Sequence, residues 1–508
     1  MPTFAAVDVG SNSVRLKIAS LARGRLETIH EDREVTRLGE SVFRSGLLDP
    51  KAISHTVKVL RRFHRATTSA GADAVRVVAT SAMRDTRNAS SFLEWVRSTT
   101  GWKVEIISGI EEGRLIHLGL VSNTRLNTWP LLLMDLGGGS CELTISVDHQ
   151  IRSMASLPLG AVRLTEEFIQ NDPPKKKDIE RLRQFIAEEV GRLERRLRRW
   201  NPQLAIATSG TAAALAELGQ NFDKRAQKRP NYVTARTMDR IVEELAKRTL
   251  AQRRLLPGLG PKRAEIIVAG ATVYAEIARR LQLPGIQYSP LGLRDGLLAQ
   301  MAADYDRDTV MGKRIESERQ TGLKWAVGHY GADIAFAEHV RDLTLQLFRQ
   351  LKSVHRLPDD YAEWLTAAAM LHEIGAYINR TGRHRHAYYL IANTELYGFT
   401  AEQRRLIAAI ARFVGKSKPS TQDRALRLLP ALDRQLVPRA VVLLRMARAL
   451  NLGRKGAVEA IRSRVKDSTV DLKLRTRRGG ADLELWSLLK EKTYFREVFG
   501  RDLVAEAS

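Results

Sequence analysis

The 508-residue chain has one cysteine, Cys141, and only 6% aromatic residues. A single thiol excludes a disulfide within the chain and matches a reducing compartment, so the cytoplasm is the expected location. No uncharged apolar run reaches about 18 residues, so no membrane-spanning helix is expected. The opening stretch, MPTFAAVDVGSNS, lacks the basic and apolar regions of a secretory signal. Positive charge, by contrast, is abundant: Lys and Arg number 82 against 57 Asp and Glu, a formal net charge of +25. Such a surplus suits a polyanionic partner (nucleic acid, polyphosphate, nucleotides or an anionic surface), and simple solubility accounts for it equally well. The 44% hydrophobic and 27% charged content belongs to a globular chain rather than a disordered one. At about 150 residues per domain, the length allows roughly three domains with cores of their own.

Short apolar runs at 4–9, 74–79, 103–107 and 131–136 read as strands, with 14–20 and 141–147 as hairpin partners of the first and last. Helical periodicity marks 51–70, 89–99, 176–200 and 236–250. This alternation predicts layered α/β domains. Residues 304–320 are charged and read as a linker or an exposed helix. Helix formers then dominate at 338–352, 361–378, 401–413 and 439–451, and strand signals return only at 469–475 and 483–486. The expected division is 1–122, 123–303, a mainly helical 304–475, and a small α/β segment 476–508.

Two segments look alike. AAVDVGSNSVRLKI (5–18) and LLMDLGGGSCELTI (132–145) each run strand, Asp, apolar residue, Gly, small polar loop, strand. In each, a carboxylate (Asp8, Asp135) stands at a strand end beside a turn that only small residues can form. The amides of such a turn point inward and cradle phosphate. Ser11 and Asn12 in one loop, and Gly137, Gly138 and Ser140 in the other, are the candidate donors. One such loop is usually only a tight turn. The pair, with Gly160 and with Ser209-Gly210-Thr211 after the apolar run 204–207, is far more specific.

The paired loops resemble the actin, sugar-kinase and Hsp70 superfamily. More narrowly the chain resembles the exopolyphosphatase/guanosine pentaphosphate phosphatase (Ppx/GppA) family. The resemblance is carried by Asp8-Val-Gly-Ser-Asn-Ser-Val-Arg-Leu, Ala79-Thr-Ser-Ala-Met-Arg84, Ile107-Ser-Gly-Ile-Glu-Glu112-Gly-Arg114-Leu, Asp135-Leu-Gly-Gly-Gly-Ser-Cys-Glu142-Leu, Pro158-Leu-Gly-Ala-Val-Arg163-Leu, Thr208-Ser-Gly-Thr and Gly292-Leu-Arg294-Asp-Gly296, in family order. It implies two actin-like (ribonuclease H-like) α/β domains flanking a cleft, followed by a helical HD-like domain. It also implies cleavage of a terminal phosphoanhydride by water. Glu112 matches the family's essential glutamate, a general base for that water, with Glu111 as the neighbouring alternative. Arg84 matches an arginine that holds the substrate phosphate, where a planar fork suits bidentate contact; Arg114 and Arg163 are weaker candidates. Asp135 and Glu142, with Asp8 from the opposite loop, are hard oxygen ligands suited to Mg²⁺, with Mn²⁺ as the alternative. Phosphoryl transfer of this kind needs an aligned nucleophile and neutralised oxygens more than covalent help. Ser209 and Gly210 join the phosphate-binding set. Cys141 has no nearby histidine in sequence and reads as a packing residue.

In the third domain His339, His372-Glu373 and His384-Arg-His386 follow the HD order. Glu373 stands in an Asp position and Arg448 where a late Asp is expected, so the HD metal centre reads as degenerate. Basic runs at Lys175–Lys177 with Arg195, Arg196, Arg198 and Arg199, at Arg404, Arg405, Arg412, Lys416, Lys418, Arg424 and Arg427, and at Arg475, Arg477 and Arg478 suggest a track for a long polyanion. The leading expectation is an exopolyphosphatase releasing orthophosphate from polyphosphate ends. Its close alternative is a phosphohydrolase of the guanosine pentaphosphate pppGpp, and a remoter one is a non-catalytic nucleic-acid-binding regulator. A kinase of the same fold would need an acceptor site, and no acceptor motif is found. A homodimer without membrane or nucleic-acid partners is expected.

Overall fold

Strands form where the apolar runs were read, and those over 4–9 and 131–136 are buried along most of their length because both faces are covered. The computed structural model describes residues 1–124, 129–222, 229–477 and 480–507, so Arg478 of the third basic run lies outside the described residues. The chain divides into two compact units, Met1–Lys313 and Arg314–Ser508.

The first unit holds two sheets. One is built from β1 (Thr3–Val9), β2 (Val14–Ala22), β3 (Arg25–Glu34), β4 (Ala74–Ala79) and β5 (Val104–Ile106), in the order β3-β2-β1-β4-β5. The other is built from β6 (Leu131–Leu136), β7 (Cys141–Val147), β8 (Gln150–Leu157), β9 (Leu204–Thr208), β10 (Tyr232–Thr234) and β11 (Gly285–Tyr288), in the order β10-β11-β9-β6-β7-β8. Both start with an antiparallel meander, β1-β2-β3 and β6-β7-β8, and add parallel strands on the other side of the first strand. The two similar sequence segments are therefore the founding hairpins of two like-wound sheets. Along β1, Ala5, Val7 and Val9 enter one core cluster while Phe4 and Ala6 enter another, which explains the unbroken apolar run.

Helices Gly109–Asn123 and Leu293–Tyr305 cross at very close range between the sheets' cores. A Cβ on Gly119 would lie 2.7 Å from the Gly296 amide nitrogen, and one on Gly296 would lie 1.8 Å from the Leu115 carbonyl oxygen. Only glycine permits that approach. The crossing fixes the helix whose first turn carries Glu111 and Glu112.

The second unit is mainly helical. Ile334–Gln350, Tyr361–Leu371, Arg383–Asn393, Ala401–Arg412 and Ala431–Ala449 share one large apolar core with a small sheet. That sheet pairs β12 (Val458–Val465) antiparallel with β13 (Thr469–Thr476), and β13 parallel with β14 (Asp502–Ala507). The charged stretch 304–320 falls largely in the helix Val310–His329.

One expected strand is a helix. Residues 483–486 lie in the helix Asp482–Leu489. Alternation would bury Leu483 and Leu485, yet the buried pair is Glu484 and Leu488, at helical i, i+4 spacing, with Glu484 accepting the Gly453 amide at 2.9 Å. Strands β3, β8, β10, β11, β12 and β14 carried no recognised signal. β3 is a charged, mostly exposed edge strand, as edges that resist further pairing commonly are. Among the described residues no helix is long and apolar enough to cross a membrane.

Gly296→Val should lower the thermal midpoint, at a cost of about 1–3 kcal/mol for overpacking the crossing. A melting curve that superimposes on that of the parent chain would contradict the close-approach argument.

Candidate active site

The two founding hairpins turn alike. Gly10 N–H donates to the Ser13 carbonyl at 3.2 Å, and Gly137 N–H donates to the Ser140 carbonyl at 2.9 Å. The turns face one another closely: a Cβ on Gly138 would lie 2.8 Å from the Ser11 Cβ and 3.3 Å from the Asn12 nitrogen.

What differs is the charge in register behind each turn. Asp8 on β1 is opposite Arg15 on β2, which is opposite Arg33 on β3. At the equivalent place Asp135 on β6 is opposite Glu142 on β7, flanked by Thr208 on β9 and Ser156 on β8. Residues in register share one sheet face, and like charges directly opposite destabilise a sheet. One sheet thus presents a row that ends in two arginines, the other a row with two adjacent carboxylates.

Glu112 completes the acidic side. Carboxylate oxygens of Glu112, Asp135 and Glu142 lie within 4.8 Å of one another. Burial, then the Glu142 charge, pushes the Glu112 carboxyl well up. Burial, then the Asp135 charge, holds Glu142 up at about 7. Burial also raises Asp135, against a hydrogen bond from the Thr208 hydroxyl. Glu142 Oε1 accepts from Ser156 Oγ at 2.8 Å, but Glu142 Oε2 is buried without a partner, as is Asp8 Oδ1. Three hard carboxylates converging in a dry place, one oxygen orphaned, have the donor chemistry of a divalent-cation site. Asp8 is not part of this converging group. Burial raises its carboxyl against the opposing pull of Arg15 and Arg294.

A cleft of about 520 Å³ lies between the rows. Of the residues expected from sequence, Asp8, Ser11, Asn12, Glu112, Asp135, Gly137, Gly138, Ser140, Ser209 and Gly210 line it. Glu142 and Arg84 stand just behind the lining. Arg84 Nη1 donates to Glu112 at 3.0 Å and to the Ile107 carbonyl at 2.8 Å, and Arg84 Nη2 donates to Ser140 Oγ at 3.2 Å. Ser11 Oγ is engaged with Ser81 Oγ at 2.9 Å and accepts the Ala82 amide, so it joins the loop to the helix Ser81–Asp85. Ser209 takes a positive φ of 87°, a strained backbone at the β9-to-helix junction.

The basic wall was only partly foreseen. Arg15, Arg33, Arg263 and Arg294 all line the cleft. Burial, then Arg33 and Arg15, holds Arg263 down at about 9. Burial and Arg15 likewise lower Arg294, whose Nη1 donates to the Leu16 carbonyl at 2.7 Å. A Cβ on Gly210 would lie 2.1 Å from Arg263, so glycine there lets the guanidinium reach the loop. Arg15 and Arg294 stood in the quoted motifs without being singled out. Arg33 and Arg263 sit on an edge strand and in an irregular segment, where no local pattern marks them.

The remaining candidates have other partners. Glu111 is held by Arg114 at 2.8 Å through two contacts, and Arg114 also donates to Gln300 at 3.0 Å, all buried. Arg163 donates to the Gly139 carbonyl at 2.8 Å, pairs with Asp85 and covers the Phe43 ring. Cys141 is fully buried in the core. Outside the cleft, part of the basic charge is spent locally: Lys418 on Glu497, Arg198 on Glu194, Arg475 and Arg477 on Glu459.

Comparison with known proteins gives the family and the fold. The model of the Ppx/GppA phosphatase family matches residues 17–304, and that of the family's domain III matches 319–492. A crystal structure of the Aquifex aeolicus family member aligns with a TM-score of 0.51 at 28% identity, over 60% of this chain and 99% of its own. An exopolyphosphatase from Cytophaga hutchinsonii aligns with a TM-score of 0.55 at 24% identity, over 59% of this chain and 98% of its own, a likeness of fold.

If the acidic row needs a cation, removing one acid should stabilise the metal-free chain. Glu142 holds its proton to about pH 7 when folded and to about pH 4.3 when unfolded, so its contribution to stability is lost as pH rises between those values. In chelator, Glu142→Gln should melt higher than the parent above pH 7, and the two should converge below about pH 4. Divalent cation should raise the parent's midpoint and leave the variant's nearly unchanged. Equal midpoints at pH 8 would count against the cation site.

Proposed function

This chain belongs to the Ppx/GppA phosphatase family, metal-dependent phosphatases, and its first unit consists of two actin-like domains; from that premise we propose that it is an exopolyphosphatase, hydrolysing the terminal phosphoanhydride of inorganic polyphosphate. The observation that carries this reading is one cleft that brings together converging carboxylates and four arginines. A chain of phosphates, charged along its whole length, matches such a basic wall better than a single phosphate does.

In this reading Asp135 and Glu142, with Glu112 beside them, would hold Mg²⁺, and the cation would supply charge neutralisation for oxygens of the phosphate under attack. The amides and small side chains of the Gly137-Gly138-Gly139-Ser140 and Gly10-Ser11-Asn12-Ser13 turns grip the terminal phosphoryl group. Arg15 and Arg294 take the oxygens of the next phosphates, where a fork of donors suits them. Glu112 aligns the attacking water and accepts its proton at the carboxylate, with Arg84 fixing the orientation of that carboxylate. Arg114, by clamping Glu111 and Gln300, keeps the first turn of the helix Gly109–Asn123 in place.

Orthophosphate release, measured on a long polyphosphate and on pppGpp, tests the substrate. Polyphosphate should have the higher kcat/KM, and the reverse order would make this a pppGpp phosphohydrolase. Glu112→Gln should lower kcat by about 100-fold or more with KM little changed. Arg15→Met and Arg294→Met should chiefly raise KM and flatten its dependence on salt. Normal turnover by Glu112→Gln would remove the assigned base.

A further inference from the structure

We propose that Arg383, Arg448, His372 and His384 of the second unit form a second anion site, one that takes a phosphate group. None of these residues lines the cleft. They come together from three neighbouring segments. His372 follows the helix Tyr361–Leu371, Arg383 and His384 open the helix Arg383–Asn393, and Arg448 lies in the last turn of the helix Ala431–Ala449.

His372 is completely buried. Its Nδ1 is 2.7 Å from the Ala369 carbonyl, which can only accept, so Nδ1 carries the proton and Nε2 presents a lone pair. That Nε2 is buried without a partner. The same is true of His384 Nδ1, Arg383 Nε and Arg448 Nε. Four unsatisfied polar atoms on four adjacent side chains are unusual, since buried polar groups are almost always paired.

The charges specify the missing partner. Glu373 is the nearby acid, and it is paired with Arg454 and lies 3.7 Å from Arg383. Glu491 also acts on Arg448, but it is held by Arg445 at 2.7 Å. Arg448, half-buried, is left with no acid bound to it. Burial, with the positive field of Arg448 and Arg383, keeps both imidazoles neutral, His372 at about 4 and His384 at about 3. A metal ion would be repelled by the same two guanidiniums. A phosphate group meets every demand. Its oxygens accept from the guanidiniums, and its remaining P–OH donates to the His372 Nε2 lone pair. A carboxylate ionised at neutral pH has no proton to give that atom.

The ligand chemistry is a phosphate monoanion or dianion, supplied either by free orthophosphate or by the end of a phosphate chain. Equilibrium dialysis of the full-length chain tests it. Labelled orthophosphate and labelled tripolyphosphate are used in separate arms, with chelator present to stop hydrolysis. Arg448→Met and Arg383→Met should each lose one bound equivalent relative to the parent. Loss in the orthophosphate arm identifies the free ion as the ligand, and loss only with tripolyphosphate identifies the chain end. With divalent cation restored, both second-unit variants should retain the parent's initial rate of phosphate release, which reports that the chain is folded. Should Arg448→Met fail that check, Arg383→Met decides alone. Full retention of parental binding in both arms by a folded variant would overturn the proposal.

Discussion

Two pairs of like charges, set in register on two similarly wound sheets, impose the demand that organises the first unit. Asp135 beside Glu142 and Arg15 beside Arg33 are both unfavourable pairings. Their own sheets relieve them only in part, through hydrogen bonds from the Thr208 and Ser156 hydroxyls on one side and the single opposite charge of Asp8 on the other. A cation for the acids and an anion for the arginines would supply the rest. A metal phosphate supplies both. Under the proposed function, binding energy that settles both rows at once would be realised only when both partners are present.

The scaffold makes this arrangement rigid. Glycine at 119 and 296 brings two helices into backbone contact, and that crossing carries the turn bearing Glu112 to the acidic row. Glycine at 138 and 210 allows the opposite loops, and Arg263, to approach closely. Arg84, pinned by the Ile107 carbonyl, Glu112 and Ser140, joins the two halves of the site. Burial first, and for Glu112 and Glu142 the neighbouring carboxylate second, pushes these carboxyls upward.

Much of this was readable beforehand. The repeated strand-Asp-Gly hairpin announced two related sheets, because a phosphate-cradling turn needs small residues in a fixed order beside an acid. Seven of the expected site residues that line the cleft, Asp8, Ser11, Asn12, Asp135, Gly137, Gly138 and Ser140, belong to those two hairpins. The contribution of Arg33 and Arg263 was hidden, since a lone arginine on a polar edge strand or in an irregular segment has no signature until the sheet sets its register. The split between Glu111 and Glu112 was hidden too. Adjacent helical residues point about 100° apart, and only the position of Arg114 shows which of the two faces inward to an ion pair. The segment 483–486 misled because alternating Leu and Glu imitates a strand when the buried positions are really i and i+4.

A crystal grown with Mn²⁺ and phosphate, with anomalous data collected for manganese, measures the central claim directly. The account predicts a manganese peak coordinated by Asp135 and Glu142 oxygens, with phosphate density bridging it to Arg15 and Arg294. Manganese bound elsewhere in the first unit, with those two acids left facing each other uncoordinated, would contradict it.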